Sequence, residues 1–359
     1  MRAGVFQETG QEKVDILDNV EVVDPQPGDV KIRMRATGVC HSDISAMNGT
    51  IPQPAPCVLG HEGAGEIVEV GEGVTKVAPG DHVIVVWVPP CGECRTCLRG
   101  QPNLCPSSMG AMGNQRFSVD GNPFFGFAGT GTFAEESVMP QQAVVKIPDD
   151  VPFEIGALIG CGVTTGVGAA LNTAKVEPGS SVAVIGAGGV GISVIQGARI
   201  AGASEIVAID MMESKLETAK RFGATHGATP DTIEDVKNEI TAGEGFDYCF
   251  EVVGRSTTVR QAYDLVRRGG SAVVVGAGAM DDQVSFNCFE LFYMEKKLLG
   301  SLYGSADVRL EFPRLINLWR NGRLDLDGMI SSRLKLDDVN DAFEAMMSGD
   351  VIRQIITFD

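Results

Sequence analysis

The stretch from Ser180 to Asp210, SSVAVIGAGGVGISVIQGARIAGASEIVAID, constrains the fold more than any other part of the chain. It reads as an apolar strand, a glycine-rich turn, a helix and a second apolar strand that closes on an aspartate. Gly186, Gly188 and Gly191 fit the spacing G-x-G-x-x-G, with Gly189 and Val190 completing the turn. A lone match of this kind is weak. Here it follows a strand, opens a helix and is answered by Asp210 at the end of the next strand, which is the setting a dinucleotide-binding fingerprint needs. Gly186 permits the tight turn, Gly188 lets the backbone approach a pyrophosphate, and Gly191 lets helix and strand pack closely. The helix N-terminus then faces the phosphate charge. Asp210 would accept hydrogen bonds from the adenosine ribose and repel a 2′-phosphate, so NAD is expected rather than NADP. The competing explanation is a glycine-rich turn without a ligand.

The same rhythm continues. A helical ESKLETAKRFGA is followed by FDYCFEVVG, a helix expected over 256–268, and GSAVVVGAG. Strands alternating with helices predict a doubly wound parallel sheet with right-handed crossovers, an α/β fold. Before residue 160 the pattern differs. DVKIRMRATGV, GAGEIVEVG and DHVIVVWV are short β-branched runs separated by the turn signals QPGD and APGD. After residue 303 come two amphipathic helices, RLEFPRLINLWRNG and LDDVNDAFEAMMSG, and a last strand, RQIITF.

At 359 residues the chain is too long for one ordinary domain. The formal net charge is -18 and no basic stripe is present, which argues against nucleic acid and against an anionic membrane surface as partners. The opening MRAGVFQETGQEKVDI lacks the apolar core of a signal peptide, and no run approaches 18 uninterrupted apolar residues. A cytoplasmic location is therefore expected. In that compartment clustered cysteines more often hold metal than form disulfides.

Four of the nine cysteines crowd into CGECRTCLRGQPNLC. Cys91, Cys94, Cys97 and Cys105 have the spacing C-x2-C-x2-C-x7-C, with which one loop can surround a tetrahedral Zn²⁺ and leave no position for water. Such a site is structural, folding a lobe (88–106) that has little apolar surface to bury. An iron–sulfur cluster also uses four cysteines; the longer last gap favours zinc. A second set is dispersed: Cys40 in GVCHSD, His61 in GHE and Cys161 in GCGVTTG. Two thiolates and one imidazole make the three-ligand pattern of a catalytic zinc. Taken singly, each could equally be a core cysteine or a satisfied histidine.

GVCHSD, GHEGAGEIVEVGEGVTKVAPGD, CGECRTCLRGQPNLC, GCGVTTGVGAA, GAGGVG and FEVVG occur in this order. Over essentially its whole length the chain resembles the zinc-dependent medium-chain alcohol dehydrogenases, and within them the two-zinc group that includes the liver-type and the thiol-dependent formaldehyde dehydrogenases. The resemblance implies a GroES-like catalytic domain (1–162), a Rossmann domain (163–302) and a return of 303–359 to the catalytic domain. It implies catalytic zinc on Cys40, His61 and Cys161, and structural zinc on Cys91, Cys94, Cys97 and Cys105. It gives Glu62 the place of the acidic residue that approaches the zinc during ligand exchange, and Asp43 that of the carboxylate orienting the ligand imidazole. Asp43 is also placed to cap a helix.

The activity so implied is reversible hydride transfer between a primary aliphatic or aromatic alcohol and NAD. Ser42 matches the hydroxyl that bonds the substrate oxygen and passes its proton toward the nicotinamide ribose. Thr165 and Val190 match positions that pack on the nicotinamide. Lys215, Val252, Arg255, Val275 and Ala277 fall at further cofactor positions, and Arg353 at a phosphate-binding arginine. Two residues depart from the liver-type pattern. Ser45 stands where the proton relay often ends in histidine, so the proton is expected to leave through water. His41 stands where some relatives place a phosphate-holding arginine, which predicts weaker, pH-dependent contact. Trp87 and Phe127 match aromatic walls of the substrate pocket. The segment between Cys105 and Arg116 is shorter than in liver-type enzymes, which should alter the pocket mouth. Other readings are a formaldehyde dehydrogenase acting on a glutathione or mycothiol adduct, with Arg116 as the cation for the thiol's carboxylate; a nicotinoprotein that retains its cofactor; and a non-enzymatic redox-state sensor. The resemblance also implies a homodimer, or a tetramer, through the edge of the Rossmann sheet.

Overall fold

The computed structural model describes residues 1–359, with the side chains of Met109, Ala111 and Met112 outside the description. The chain divides into two compact units. The first contains Met1–Cys161, Asp307–Arg320 and Leu326–Asp359; the second contains Gly162–Ala306 and Asn321–Asp325.

The first unit is built on two sheets. The larger runs Val144–Lys146, His82–Val85, Gly63–Val70, Asp29–Gly38, Arg353–Thr357, Ile330–Leu334, and Glu136–Pro140 also pairs with Asp29–Gly38. Strand Asp29–Gly38 is its axis. Val30, Ile32 and Met34 alternate into the core, as a period of two requires, and meet Ile67, Val83, Val85 and Met139. Beyond Gly38 the strand delivers Cys40 to the start of helix His41–Met47. The second sheet runs Asp15–Leu17, Ala3–Phe6, Cys57–Val58, Asn122–Gly126, Phe117–Val119, Val20–Val22. Another core gathers Phe6, Val39, Leu59, Phe127, Phe133, Phe343 and Ile356, with Trp87 packed at its margin.

The second unit holds a six-stranded sheet in the order His226–Ala228, Glu205–Ile209, Ser181–Ile185, Phe246–Glu251, Val266–Val274, Lys297–Gly300, and every pairing is parallel. Numbered along the chain this is 3-2-1-4-5-6, the doubly wound order. The runs SVAVI and EIVAI are buried almost throughout, as strands covered on both faces must be. The helix expected to reach residue 268 stops at Leu265. Val266 is already paired beside Phe246, and Arg267 is drawn extended by an ion pair from its Nε to Asp247 Oδ1 at 2.7 Å.

Asp247 also accepts from the backbone N–H and the hydroxyl of Ser181, at 2.8 and 3.0 Å. Burial pushes its carboxyl up, but these hydrogen bonds and Arg267 outweigh it and hold the group below its ordinary 3.8. A depressed folded value contributes stability above the unfolded pKa and loses it as pH falls through the folded one. Asp247→Asn is expected to cost about 1 kcal/mol at neutral pH. Urea unfolding across the acid range should show the gap between parent and variant closing below pH 3.8. A gap that stays constant would exclude this ionisation as its cause.

One helix, Phe153–Ala174, is long and apolar enough to cross a membrane by length and composition, although the sequence led us to expect none. However, 83% of its apolar window is buried inside the protein, as in a core helix. Within it Ile159–Val163 winds as a π turn, a form that often re-aims a side chain at a functional site, and Cys161 sits there between Gly160 and Gly162.

Candidate metal centres and cofactor site

Cys40 caps helix His41–Met47, and its N–H donates to Asp43 Oδ2 at 3.2 Å. The other carboxylate oxygen of Asp43 accepts from Gly60 N–H at 3.0 Å and lies 3.3 Å from His61 Nδ1. Asp43 thus performs both expected tasks, capping the helix and orienting the imidazole. With Nδ1 fixed, Nε2 is turned toward the sulfurs, is buried, and finds no hydrogen-bond partner. One donor atom each from Cys40, His61, Glu62 and Cys161 lies within 4.8 Å of the others, and all four residues are buried. A buried ring nitrogen without a partner, facing two thiols, fits zinc.

Electrostatics point the same way. The Cys40 thiol is held well below its ordinary value, first by its hydrogen bond with Cys161 and, against burial, by His61. Burial pushes the His61 imidazole down, but the charge and hydrogen bond of Asp43, together with Cys40, bring it up to about 10. Burial raises Asp43 in turn. Surroundings that favour a proton on His61 favour a divalent cation at its ring nitrogen, which exchanges for that proton.

Glu62, adjacent to His61 and fully buried, is ion-paired with Arg353, itself buried. Gly38 makes room for the pair: a Cβ there would lie 2.1 Å from Glu62 Oε2 and 3.0 Å from Arg353 Nη2. Arg353, expected at a cofactor phosphate, is thus ion-paired with Glu62 in the first unit. Ser42 Oγ is 3.7 Å from Cys40 Sγ. Ser45 is half-buried in the same helix, and its carbonyl accepts from Ile51 N–H at 2.9 Å. Phe127 meets the His61 ring edge-on at 5.0 Å between centroids, and Trp87 does so at 6.4 Å, so both expected aromatic walls surround this histidine. Arg116, expected to meet a substrate carboxylate, instead forms a two-pronged ion pair with the buried Asp29. Its charge is spent on the fold, which corrects that expectation.

The second centre lies in the lobe expected from spacing. The Sγ atoms of Cys91, Cys94, Cys97 and Cys105 cluster within 4.8 Å, with Cys91–Cys97 at 4.0 Å and Cys94–Cys105 at 3.7 Å. Zn–S bonds of ~2.3 Å set tetrahedral edges of ~3.8 Å, so the cage has the right size. Backbone N–H groups of Cys91 and Cys94 point at Cys105 Sγ and Cys91 Sγ, at 3.4 and 3.3 Å, as suits thiolates. The hydroxyl of Thr96 helps bring the Cys94 thiol down to about 6, whereas burial pushes Cys97 up to about 12. All nine cysteines are free of disulfides.

In the second unit the glycine-rich turn joins Ser181–Ile185 to helix Gly189–Ala201. Gly186 has φ +98°, and a Cβ on Gly191 would lie 1.9 Å from Gly186 O, so both positions require glycine. Asp210 ties the turn down: its carboxylate accepts from Ala187 N–H at 2.9 Å and Met212 N–H at 3.1 Å. Gly188, Gly189 and Val190 form the helix start, and Lys215 lies in the next helix, Glu213–Arg221. Val252, Arg255, Val275 and Ala277 all sit just past the C-terminal ends of the fourth and fifth strands. Thr165 lies in the helix Thr164–Gly168, and its hydroxyl oxygen is buried without a partner. His41 is exposed at the first turn of its helix. Sequence reasoning missed Gly38, which makes room for the Glu62–Arg353 pair, and Glu251, a fully buried carboxylate in the second unit. Only the charge of Glu251 within an apolar strand could have flagged it.

Residues 26–149 match the alcohol dehydrogenase GroES-like domain, and residues 189–321 match the zinc-binding dehydrogenase family. The chain is 38% identical, over 99% of both chains, to the S-(hydroxymethyl)glutathione dehydrogenase of Paracoccus denitrificans. It is 41% identical to a protein of the same name from Escherichia coli, over 94% of this chain and 95% of that one. Among solved structures, the benzyl alcohol dehydrogenase of Acinetobacter calcoaceticus superposes with a TM-score of 0.92 at 32% identity, covering 100% of this chain and 99% of that one. Two ligand clusters, a GroES-like domain and a Rossmann domain together define a zinc-dependent oxidoreductase. The chain belongs to the zinc-dependent medium-chain alcohol dehydrogenase family, in its formaldehyde-dehydrogenase-like group. Its cofactors are zinc, for which the two clusters supply fitting donor sets, and NAD.

Proposed function

We propose that this enzyme oxidises the hydroxymethyl adduct of a small cellular thiol, with NAD as hydride acceptor. The identity with two S-(hydroxymethyl)glutathione dehydrogenases over nearly the whole length carries this reading. In the reaction the carbinol carbon gives a hydride to NAD⁺ and the hydroxyl gives up a proton, leaving a thioester, NADH and H⁺. Zinc, when bound by Cys40, His61 and Cys161, supplies Lewis acidity toward the substrate oxygen. Ser42, in the same turn as Cys40, receives the hydroxyl proton. Ser45 is a poor base, so the proton leaves through water. Trp87 and Phe127 exclude water beside His61.

A second reading, oxidation of a benzylic alcohol, is favoured by those two aromatic walls and by the superposition on a benzyl alcohol dehydrogenase. Turnover of formaldehyde with glutathione or mycothiol, of benzyl alcohol and of aliphatic alcohols, each with NAD and NADP, separates the two. We expect formaldehyde oxidation only when the thiol is present, and with NAD. Thiol-independent rates, with benzyl alcohol giving the highest kcat/KM, would favour the second reading.

The edge strand Lys297–Gly300 and its neighbours expose Phe289, Phe292, Tyr293, Leu298 and Leu302, which supports self-association as a homodimer. Nine cysteines that form no disulfide accord with a cytoplasmic location.

A further inference from the structure

We propose that Glu251 is a positioning residue that holds together the turns receiving the nicotinamide half of the cofactor; this rests on the NAD-binding reading above. Glu251 ends the fourth strand of the parallel sheet, next to Ser181–Ile185, where the strand order reverses. Dinucleotides cross such a sheet at that point, the adenosine half on the side of Asp210 and the nicotinamide half on the other.

Glu251 is fully buried, yet no ion pair to it is seen among the described residues. Its Oε1 accepts three hydrogen bonds: from Val253 N–H at 2.8 Å, Gly254 N–H at 2.7 Å and the Thr258 hydroxyl at 2.8 Å. One oxygen therefore folds the turn after the strand and anchors helix Ser256–Leu265. The backbone carbonyl of the same residue accepts from Val275 N–H at 2.8 Å and Gly276 N–H at 3.0 Å, tying in the turn after the fifth strand. These two turns are in close contact, since a Cβ on Gly254 would lie 2.6 Å from Ala277 O. Val252, the next residue, reaches the third turn: a Cβ on Gly186 would lie 3.0 Å from its side chain, and one on Gly191 3.4 Å. Glu251 thus sets the spacing of the two turns past the fourth and fifth strands, while its neighbour Val252 packs against the third.

The second oxygen, Oε2, is buried and without a hydrogen-bond partner. A carboxylate in that state is costly to keep. What it supplies is charge: three donors converging on Oε1 are held more strongly by an anion than by a neutral amide. Glutamine would keep a weaker acceptor and place an N–H₂ group where nothing accepts it. Alanine would remove the acceptor of the Val253 and Gly254 N–H groups, while the Thr258 hydroxyl would turn to the Arg255 carbonyl, 2.9 Å away.

The test is to compare NADH with ADP-ribose, which keeps the adenosine and pyrophosphate but lacks the nicotinamide. Affinities of the intact protein for both would be measured calorimetrically for the parent, Glu251→Gln and Glu251→Ala, with circular dichroism and zinc content as checks on folding. Thr258→Val, which removes one donor of three, serves where those variants fold poorly. We expect NADH to bind roughly tenfold more weakly to the Glu251 variants, and a few-fold more weakly to Thr258→Val, while ADP-ribose binds as it does to the parent. Equal weakening of both ligands, or of neither, overturns the proposal. A parent chain that binds neither ligand would instead bring down the NAD reading beneath it.

Discussion

Replacing Cys97 by serine is expected to empty the four-cysteine centre, disorder the lobe around it and lower the melting temperature sharply. The reason is the lobe's lack of any other core. Leu98 is 75% exposed and Leu104 46% exposed, so the apolar residues between the cysteines bury little. Between the first and last cysteine the buried residues are Cys97, Pro102, Asn103 and Cys105, of which two are the metal-ligating thiols. Cohesion therefore comes from metal–sulfur bonds, which in short finger peptides contribute ~10–16 kcal/mol of folding free energy. Serine offers no thiolate, and three sulfurs, two of them (Cys94 and Cys105) 3.7 Å apart, would be left without the ion that offsets their repulsion. Elemental analysis should show zinc falling from two ions per chain to one, and calorimetry a loss of several kcal/mol. A Cys97→Ser protein with full zinc and an unchanged melt would mean that the lobe is held by something else.

The second large effect is expected at His61, and it should take the opposite form. His61→Ala removes the one nitrogen donor of the buried cluster, so turnover should fall by at least ~10³-fold while the four-cysteine centre keeps its zinc. Stability should fall less than in Cys97→Ser, although Asp43 loses its buried partner. Asp43→Asn gives a graded intermediate. It keeps the ring but weakens the bond that aims it, and losing the partner that orients a metal-binding imidazole costs about 10–100-fold in metal affinity or activity. The measurements are zinc content, metal affinity by chelator competition, and kcat. Equal losses of zinc from both centres in His61→Ala would show that the two are coupled, and activity close to the parent's would remove His61 from the chemistry.

What could be read in advance follows how local each signal is. The Gly186–Gly191 turn and Asp210 lie within one βαβ unit, so their spacing alone specifies their geometry. Cys91 to Cys105 likewise come from a single loop. Cys40, His61 and Cys161 are far apart along the chain, and only resemblance could group them; the fold brings them within 4.8 Å by ending a strand, turning at Gly60 and winding a π turn. Arg116 misled because a cation near the right motif is indistinguishable, in one dimension, from a cation with a buried aspartate waiting for it. Glu251 stayed hidden for a related reason. Its partners are backbone N–H groups and a threonine hydroxyl, and backbone donors leave no mark in a sequence. The overlong helix at 256–268 shows the same limit, since pairing with Phe246 and the pull of Asp247 on Arg267 override a local helical pattern.

The strand Arg353–Thr357 lies inside the larger sheet, antiparallel to Asp29–Gly38 on one side and parallel to Ile330–Leu334 on the other. During synthesis, then, the polypeptide that carries all seven proposed zinc ligands emerges early but must wait with an unfilled sheet until this late strand leaves the ribosome. The Rossmann unit is nearly contiguous and can fold on its own in the meantime. Vectorial folding should therefore run from the middle outward, and the waiting amino-terminal segment, with an open sheet edge and uncovered thiols, is the part that chaperones and oxidants would meet first.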